Sequence, residues 1–162
     1  MLVVSDTSPL NYLLLVEAIE VLPVLFSEVF IPPAVLDELR HQRAPTLVRE
    51  WAINPPLWLQ VKAAHDPRHI AGLDRGETEA IALAEELDAD ALLIDERDAS
   101  RVASQRGIVV IGTFAVLAKA IVKGLIDQDT ITARLAQTNF RGPIELLDVL
   151  VNRFKTLDED DV

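Results

Sequence analysis

Leu2-Val3-Val4-Ser5-Asp6-Thr7-Ser8-Pro9-Leu10 is an apolar run that meets an acid, a turn and then a helical pattern. A short apolar run closed by Asp-Thr-Ser-Pro reads as a buried strand leading into a helix. Ser8 is a natural N-cap, and Pro9 suits the first helical position, where its missing N–H costs nothing. Asp6 then stands where the first strand ends.

The same strand-to-helix grammar repeats along the chain. Val29-Phe30-Ile31 precedes Pro32-Pro33 and a helix over Ala34 to His41, with Val35, Leu36 and Leu39 at helical spacing. A helix from Thr46 to Trp51 stops before Asn54-Pro55-Pro56, and Leu57 to Val61 reads as a third strand. Lys62 to Gly72 is polar and irregular, a loop. An alanine-rich helix opens near Asp74-Arg75-Gly76-Glu77, and Ala91-Leu92-Leu93-Ile94 is a strand ending at Asp95. Arg97 to Gln105 is a helix closed by Gly107, and Ile108-Val109-Val110-Ile111 is the most strand-like run of all. Gly112-Thr113 opens the next helix, which ends at Gly124; Asp127 or Asp129 caps another, and a last helix covers Pro143 to Phe154.

Short apolar strands alternating with helices predict an α/β fold: a single domain with a mostly parallel central sheet of four to five strands and helices on both faces. Residues 1–126 are expected to form its core, 127–157 a helical extension of the same domain, and 158–162 a solvated acidic tail.

The chain has 162 residues, half of them hydrophobic, and no cysteine, which excludes disulfide scaffolds and thiolate-ligated metals. Lys and Arg number 15 against 26 Asp and Glu, for a net charge of -11. Such a field repels phosphate backbones unless divalent cations bridge them to the carboxylates. The first cationic side chain is Arg40, so no basic leader opens the chain, and Glu17, Glu20 and Pro23 break the apolar stretch from Tyr12 to Phe26. A cytoplasmic protein without a membrane span is expected.

In an open parallel sheet the functional cleft lies beyond the carboxyl ends of the strands, where strand order reverses. Asp6 and Asp95 map to that edge, and adjacency of their strands would bring them together. Glu38 and Glu77, each near the start of a helix, could face the same edge. Two carboxylates about 4 Å apart repel by about 4 kcal/mol at an effective dielectric near 20, so four of them need protons or a cation. Each acid also has a plain structural role open to it: Glu77 suits the positive end of a helix dipole, and Asp6 can form a turn. Arg40, His41 and Arg43 follow Glu38, and Arg97 and Arg101 follow Asp95, a positive rim around a negative pit if their helices flank the cleft. His41, His65 and His69 form no metal motif, and neither a G-x-S-x-G elbow nor a phosphate-binding glycine loop is present.

Three segments in this order resemble the PIN-domain nucleases: Val3-Val4-Ser5-Asp6-Thr7-Ser8-Pro9-Leu10, then Gly76-Glu77-Thr78-Glu79-Ala80-Ile81, then Leu92-Leu93-Ile94-Asp95-Glu96-Arg97-Asp98-Ala99 with Gly112-Thr113 beyond. The similarity is to a subgroup that opens with D-T-S-P-L and includes toxin ribonucleases, and it runs from about residue 2 to about 126. It implies that Asp6, Glu38, Glu77 and Asp95 hold Mg2+ or Mn2+ for hydrolysis of RNA phosphodiesters. Asp98 is a fifth candidate ligand, and Glu79 and Glu96 stand nearby. Of Asp37 and Glu38 only one can face the cleft, because successive helix residues point about 100° apart. Thr7, Ser8, Asn11, Arg40, Arg97 and Arg101 are the candidates for holding substrate. The resemblance further implies the toxin of a toxin–antitoxin pair, restrained by a small antitoxin protein. The apolar helices near Ala115–Ile121 and Leu146–Val151 could bury a homodimer or antitoxin surface, although core packing explains them as readily. A degenerate module that binds RNA or protein without cutting is the alternative.

Overall fold

The computed structural model describes residues 1–160 and makes the first strand the middle of the sheet. β1 (Leu2–Ser5) pairs in parallel with β2 (Glu28–Ile31) on one side and β4 (Ala91–Leu93) on the other. β3 (Leu59–Val61) and β5 (Val110–Ile111) complete a five-stranded parallel sheet in the order β3-β2-β1-β4-β5. The chain therefore winds outward from β1, returns, and winds outward again from β4. The reversal falls between β1 and β4, which is where Asp6 and Asp95 emerge. The Asp6 N–H donates to the Leu93 carbonyl at 2.9 Å, so the pairing continues one residue past the end of β1.

Nine α-helices surround the sheet among the described residues: α1 (Thr7–Leu15), the single turn α2 (Leu22–Leu25), α3 (Pro33–Arg40), α4 (Thr46–Ile53), α5 (Arg75–Glu86), α6 (Arg97–Gln105), α7 (Thr113–Val122), α8 (Gln128–Leu135) and α9 (Glu145–Asp160). Side chains alternate across a strand, so the sheet feeds two cores. Val3, Val29, Ile31, Ala91 and Leu93 pack with α1, α3, α4, α7 and α9. Val4, Phe30, Leu92 and Ile94 pack against Ala80 and Ala84 of α5 and Ala99 and Ala103 of α6, where small side chains let both helices lie close to the strands. Truncating a wholly buried Leu such as Leu93 to Ala in such a core costs about 2–5 kcal/mol.

Several boundaries differ from the sequence reading. The N-cap of α1 is Asp6, and Ser8 and Pro9 fall inside the first turn, because the strand passes directly into the helix at Asp6. Pro9 still costs nothing there, as the first N–H groups of a helix have no intrahelical acceptor. β5 is two residues long, since the Ile108 N–H turns back to the Ala103 carbonyl at 3.0 Å to close α6. The last helix starts at Glu145 and continues to Asp160, so the expected tail is helical that far, and its last two residues, Asp161 and Val162, lie outside the described residues. Leu147 and Val151 of α9 belong to the larger core, which makes residues beyond 126 part of the same body. Of the two helices considered for a partner surface, α7 buries Val116, Leu117, Ala118 and Ala120, whereas α9 leaves Leu146, Val149 and Leu157 exposed. Among the described residues no single helix is long and apolar enough to cross a membrane.

Candidate functional site

Asp6 occupies the N-cap position of α1, but its carboxylate makes no capping hydrogen bond. The residue is 4% exposed, and its Oδ1 is buried without a hydrogen-bond partner among the described residues. Burial above all, and then the charges of Glu38, Asp74 and Glu77, push its pKa up to about 8 against the pull of the Thr7 N–H. A buried carboxylate with an orphaned oxygen is costly, and natural proteins rarely keep one without a proton, a donor or a cation.

Glu38 reaches the same place from α3. Thr7 Oγ1 donates to its Oε2, and its carboxylate lies over Gly76 at the start of α5, where a methyl group would overlap it. Burial raises its pKa, the Thr7 hydroxyl and the Gly76 N–H draw it back, and the charge of Asp74 adds to the rise. Glu77, 8% exposed, is raised by burial first and by Asp74, Glu96 and Glu38. One of its oxygens is engaged in a reciprocal capping box: the Asp74 N–H donates to Glu77 Oε2 at 2.9 Å, and the Glu77 N–H to Asp74 Oδ1 at 2.8 Å. Asp6, Glu38, Glu77 and Asp74 thus form one electrostatic group around the start of α5.

Asp95 stands on the other flank. Thr113, wholly buried, donates from its N–H at 2.7 Å and from Oγ1 at 2.6 Å to the two oxygens of Asp95, fixing the carboxylate at the N-terminus of α7. Burial raises its pKa and the two Thr113 donors oppose the rise; none of the other three candidates contributes. Among the described residues no three Asp, Glu or His side chains are grouped closely enough to hold a metal ion between them. The donor chemistry nevertheless suits a hard divalent cation: carboxylate oxygens only, set along one sheet edge, with one oxygen of Asp6 already stripped of water and without a donor among the described residues.

Two grooves flank this edge. The smaller, about 500 Å³, runs past Thr7, Asn11 and Glu38 and is edged by His41, Arg43 and Arg75. The larger, about 820 Å³, runs past Ser8 and Asp95 toward Tyr12, Phe114, Phe140 and Arg141. Of the substrate candidates, Thr7, Asn11 and Ser8 line these grooves. Arg40 does not: its Nε donates to the Ala52 carbonyl at 2.8 Å and holds the end of α4. Arg97 and Arg101 are exposed on α6 and line neither groove, and Arg101 pairs with Asp98 at 3.2 Å. Glu79 accepts from the Ala34 N–H at 3.1 Å and from Arg75 at 2.8 Å, and Glu96 caps α6, so both are occupied structurally. Sequence reasoning missed Asp74 and Thr113. The D-x-x-E spacing of residues 74–77 could have revealed the first; nothing local announces that Thr113 serves Asp95, 18 residues earlier.

A family model described as DUF3368, a PIN domain, matches residues 2–156. No curated protein sequence matches the chain. Among solved structures, a PilT N-terminus domain protein, SSO1118, from the hyperthermophilic archaeon Sulfolobus solfataricus P2 shares the fold, with a TM-score of 0.55 and 22% identity over 74% of this chain and 93% of that one. The family match takes in β1 through most of α9, the whole frame that carries Asp6, Glu38, Glu77 and Asp95, and the chain belongs to the PIN-domain family.

Proposed function

We propose that this protein is a divalent-metal-dependent endoribonuclease, and that Asp6, Glu38, Glu77 and Asp95 are the residues that would hold Mg2+ or Mn2+. PIN domains are generally nucleases that use divalent ions. The observation that carries the reading for this chain is the unpartnered Oδ1 of Asp6, buried at the point where strand order reverses and surrounded by further carboxylates. When bound, such an ion lowers the pKa of its water and screens the charge that develops on the phosphoryl oxygens. The chain's own contribution is placement. Thr113 holds both oxygens of Asp95, and Thr7 and Gly76 orient Glu38. The burial of Asp6 keeps water from competing for Oδ1. Arg43 gives the negative centre a cationic margin for the RNA backbone.

The toxin role, with a small antitoxin as inhibitor, rests on the Asp6-Thr7-Ser8-Pro9-Leu10 opening. The exposed Val149 and Leu157 of α9 support a homodimer contact. Purified protein with Mn2+ should cut a labelled single-stranded RNA, chelation should stop it, and Asp6→Asn should lower the rate at least about a hundredfold. Equal cleavage by Asp6→Asn, or none by the wild type, refutes the reading. A second reading, a module that binds RNA or protein without cutting, draws support from the protein donors that engage Glu38, Glu77 and Asp95. It predicts retention of RNA by the wild type with no products at any Mn2+ concentration.

A further inference from the structure

The larger groove holds a feature that metal-assisted hydrolysis does not require. Three of the chain's eight aromatic residues, Tyr12, Phe114 and Phe140, converge there beside Ser8, Asp95 and Gly112. Phe140 meets Tyr12 edge-on, with centroids 4.6 Å apart, and Phe114 at 4.7 Å. Phe114 is buried and backs the wall, while Tyr12 and Phe140 are half-buried and open to the groove. The loop 139–142 is pinned over them. The Tyr12 hydroxyl donates to Asn139 Oδ1 at 3.2 Å, and a side chain on Gly142 would come within 2.5 Å of the Phe140 ring and 2.6 Å of Phe114. The rings are therefore pre-ordered as a platform.

Charge at the mouth of the groove points to what lies on the platform. The chain carries a net -11, and Asp95 and Glu96 line the same groove, so an anionic ligand needs a local cation. Arg141 supplies it: exposed at the groove, it makes no ion pair or hydrogen bond among the described residues, whereas Arg75, Arg101, Arg106 and Arg134 are all paired with acids. An aromatic platform joined to an unpaired guanidinium is the chemistry that receives a splayed-out base and its phosphate. We propose that this groove seats one unpaired nucleobase next to the scissile phosphate, with Tyr12 and Phe140 gripping the base and Arg141 its phosphate. These residues then determine which nucleotide is accepted at that position. The proposal rests on the nuclease reading for its substrate, and its test is separable from that reading.

The full-length protein with Mn2+ is assayed on a single-stranded RNA with one cleavage site, and on the same RNA made abasic at the nucleotide on either side of that site. Phe140→Leu keeps an apolar side chain and removes the π face; Arg141→Gln alters an exposed residue. Both should raise KM roughly tenfold with a much smaller change in kcat. One of the two abasic RNAs should lose about as much with the wild type, and little more with Phe140→Leu, because the base and the ring share one contact. If both variants keep the wild-type KM, or the abasic penalty is unchanged in Phe140→Leu, the subsite is refuted and the groove is left to a partner protein's side chain. If the wild type cuts no RNA, the nuclease reading fails by itself. Fluorescence anisotropy of the same RNAs on Asp6→Asn protein then decides the subsite by the same comparison, and absence of RNA binding refutes it.

Discussion

Asp6 gathers several constraints into one side chain. Its backbone extends the β1–β4 pairing and starts α1, while its carboxylate is left buried beside other acids with one oxygen unpartnered. The resulting pKa of about 8 has a thermodynamic consequence. Between about pH 4 and pH 8 the folded protein keeps a proton on Asp6 that the unfolded chain releases, so folding takes up a proton across that window. The stability contributed by the raised pKa is complete below the unfolded value of 3.8 and is lost as pH rises through about 8. Asp6→Asn, neutral throughout, should remove this dependence. In the absence of divalent metal the variant should melt several degrees above the wild type at pH 8 and about level with it near pH 3.5. Thermal unfolding followed by circular dichroism at both pH values measures this, and coincident curves at pH 8 would show that Asp6 bears no such strain.

The start of α5 sets helix stability against the site. Gly76 lies in the first turn, where alanine would favour the helix by up to about 1 kcal/mol. Any side chain there meets the Glu38 carboxylate, which must then turn away from Thr7 and Asp6. Gly76→Ala should therefore leave the melting temperature within a few degrees of the wild type while lowering RNA cleavage about tenfold or more, an effect on kcat rather than on folding. Unchanged kcat in a folded Gly76→Ala protein would mean that Glu38 has no part in catalysis. The elements themselves were legible in the sequence because each carries a local signal: apolar runs for β1, β2 and β4, Pro33 and the Asp74–Glu77 capping box at helix starts, and Gly107 and Gly124 at helix ends, with φ of +81° and +70°. The acids at the strand ends were legible for the same reason. What no local pattern carries is the partner of each acid: Thr113 on Asp95, Thr7 on Glu38, and the exit of Arg40 toward α4. These contacts join segments 12 to 31 residues apart and exist only after the sheet has closed. The aromatic groove escaped notice on the same ground, since Tyr12 and Asn139 are 127 positions apart.

At the scale of the whole molecule, a net charge of -11 makes every added cation stabilising to some degree, and a specific ion must be told apart from a screening one. Monovalent salt weakens the repulsion among 26 acidic side chains wherever they lie. A divalent ion does this too, and at the carboxylate edge it also offsets the burial of Asp6 and the mutual repulsion of Asp6, Glu38 and Glu77. Binding to the folded state alone stabilises by about 2.7 kcal/mol at a hundred times the Kd, or about 5–10 °C for a chain of this size. Wild-type protein at pH 7.5 should therefore gain several degrees in Mg2+ or Mn2+ beyond what NaCl of equal ionic strength provides. Asp6→Asn should show the NaCl increment and lose most of the divalent excess, because its amide supplies no charge to the ion. A melting-temperature titration of both proteins in the three salts separates the terms. An equal divalent excess in wild type and variant would place the ion elsewhere on the acidic surface and detach the metal from the edge where β1 and β4 end.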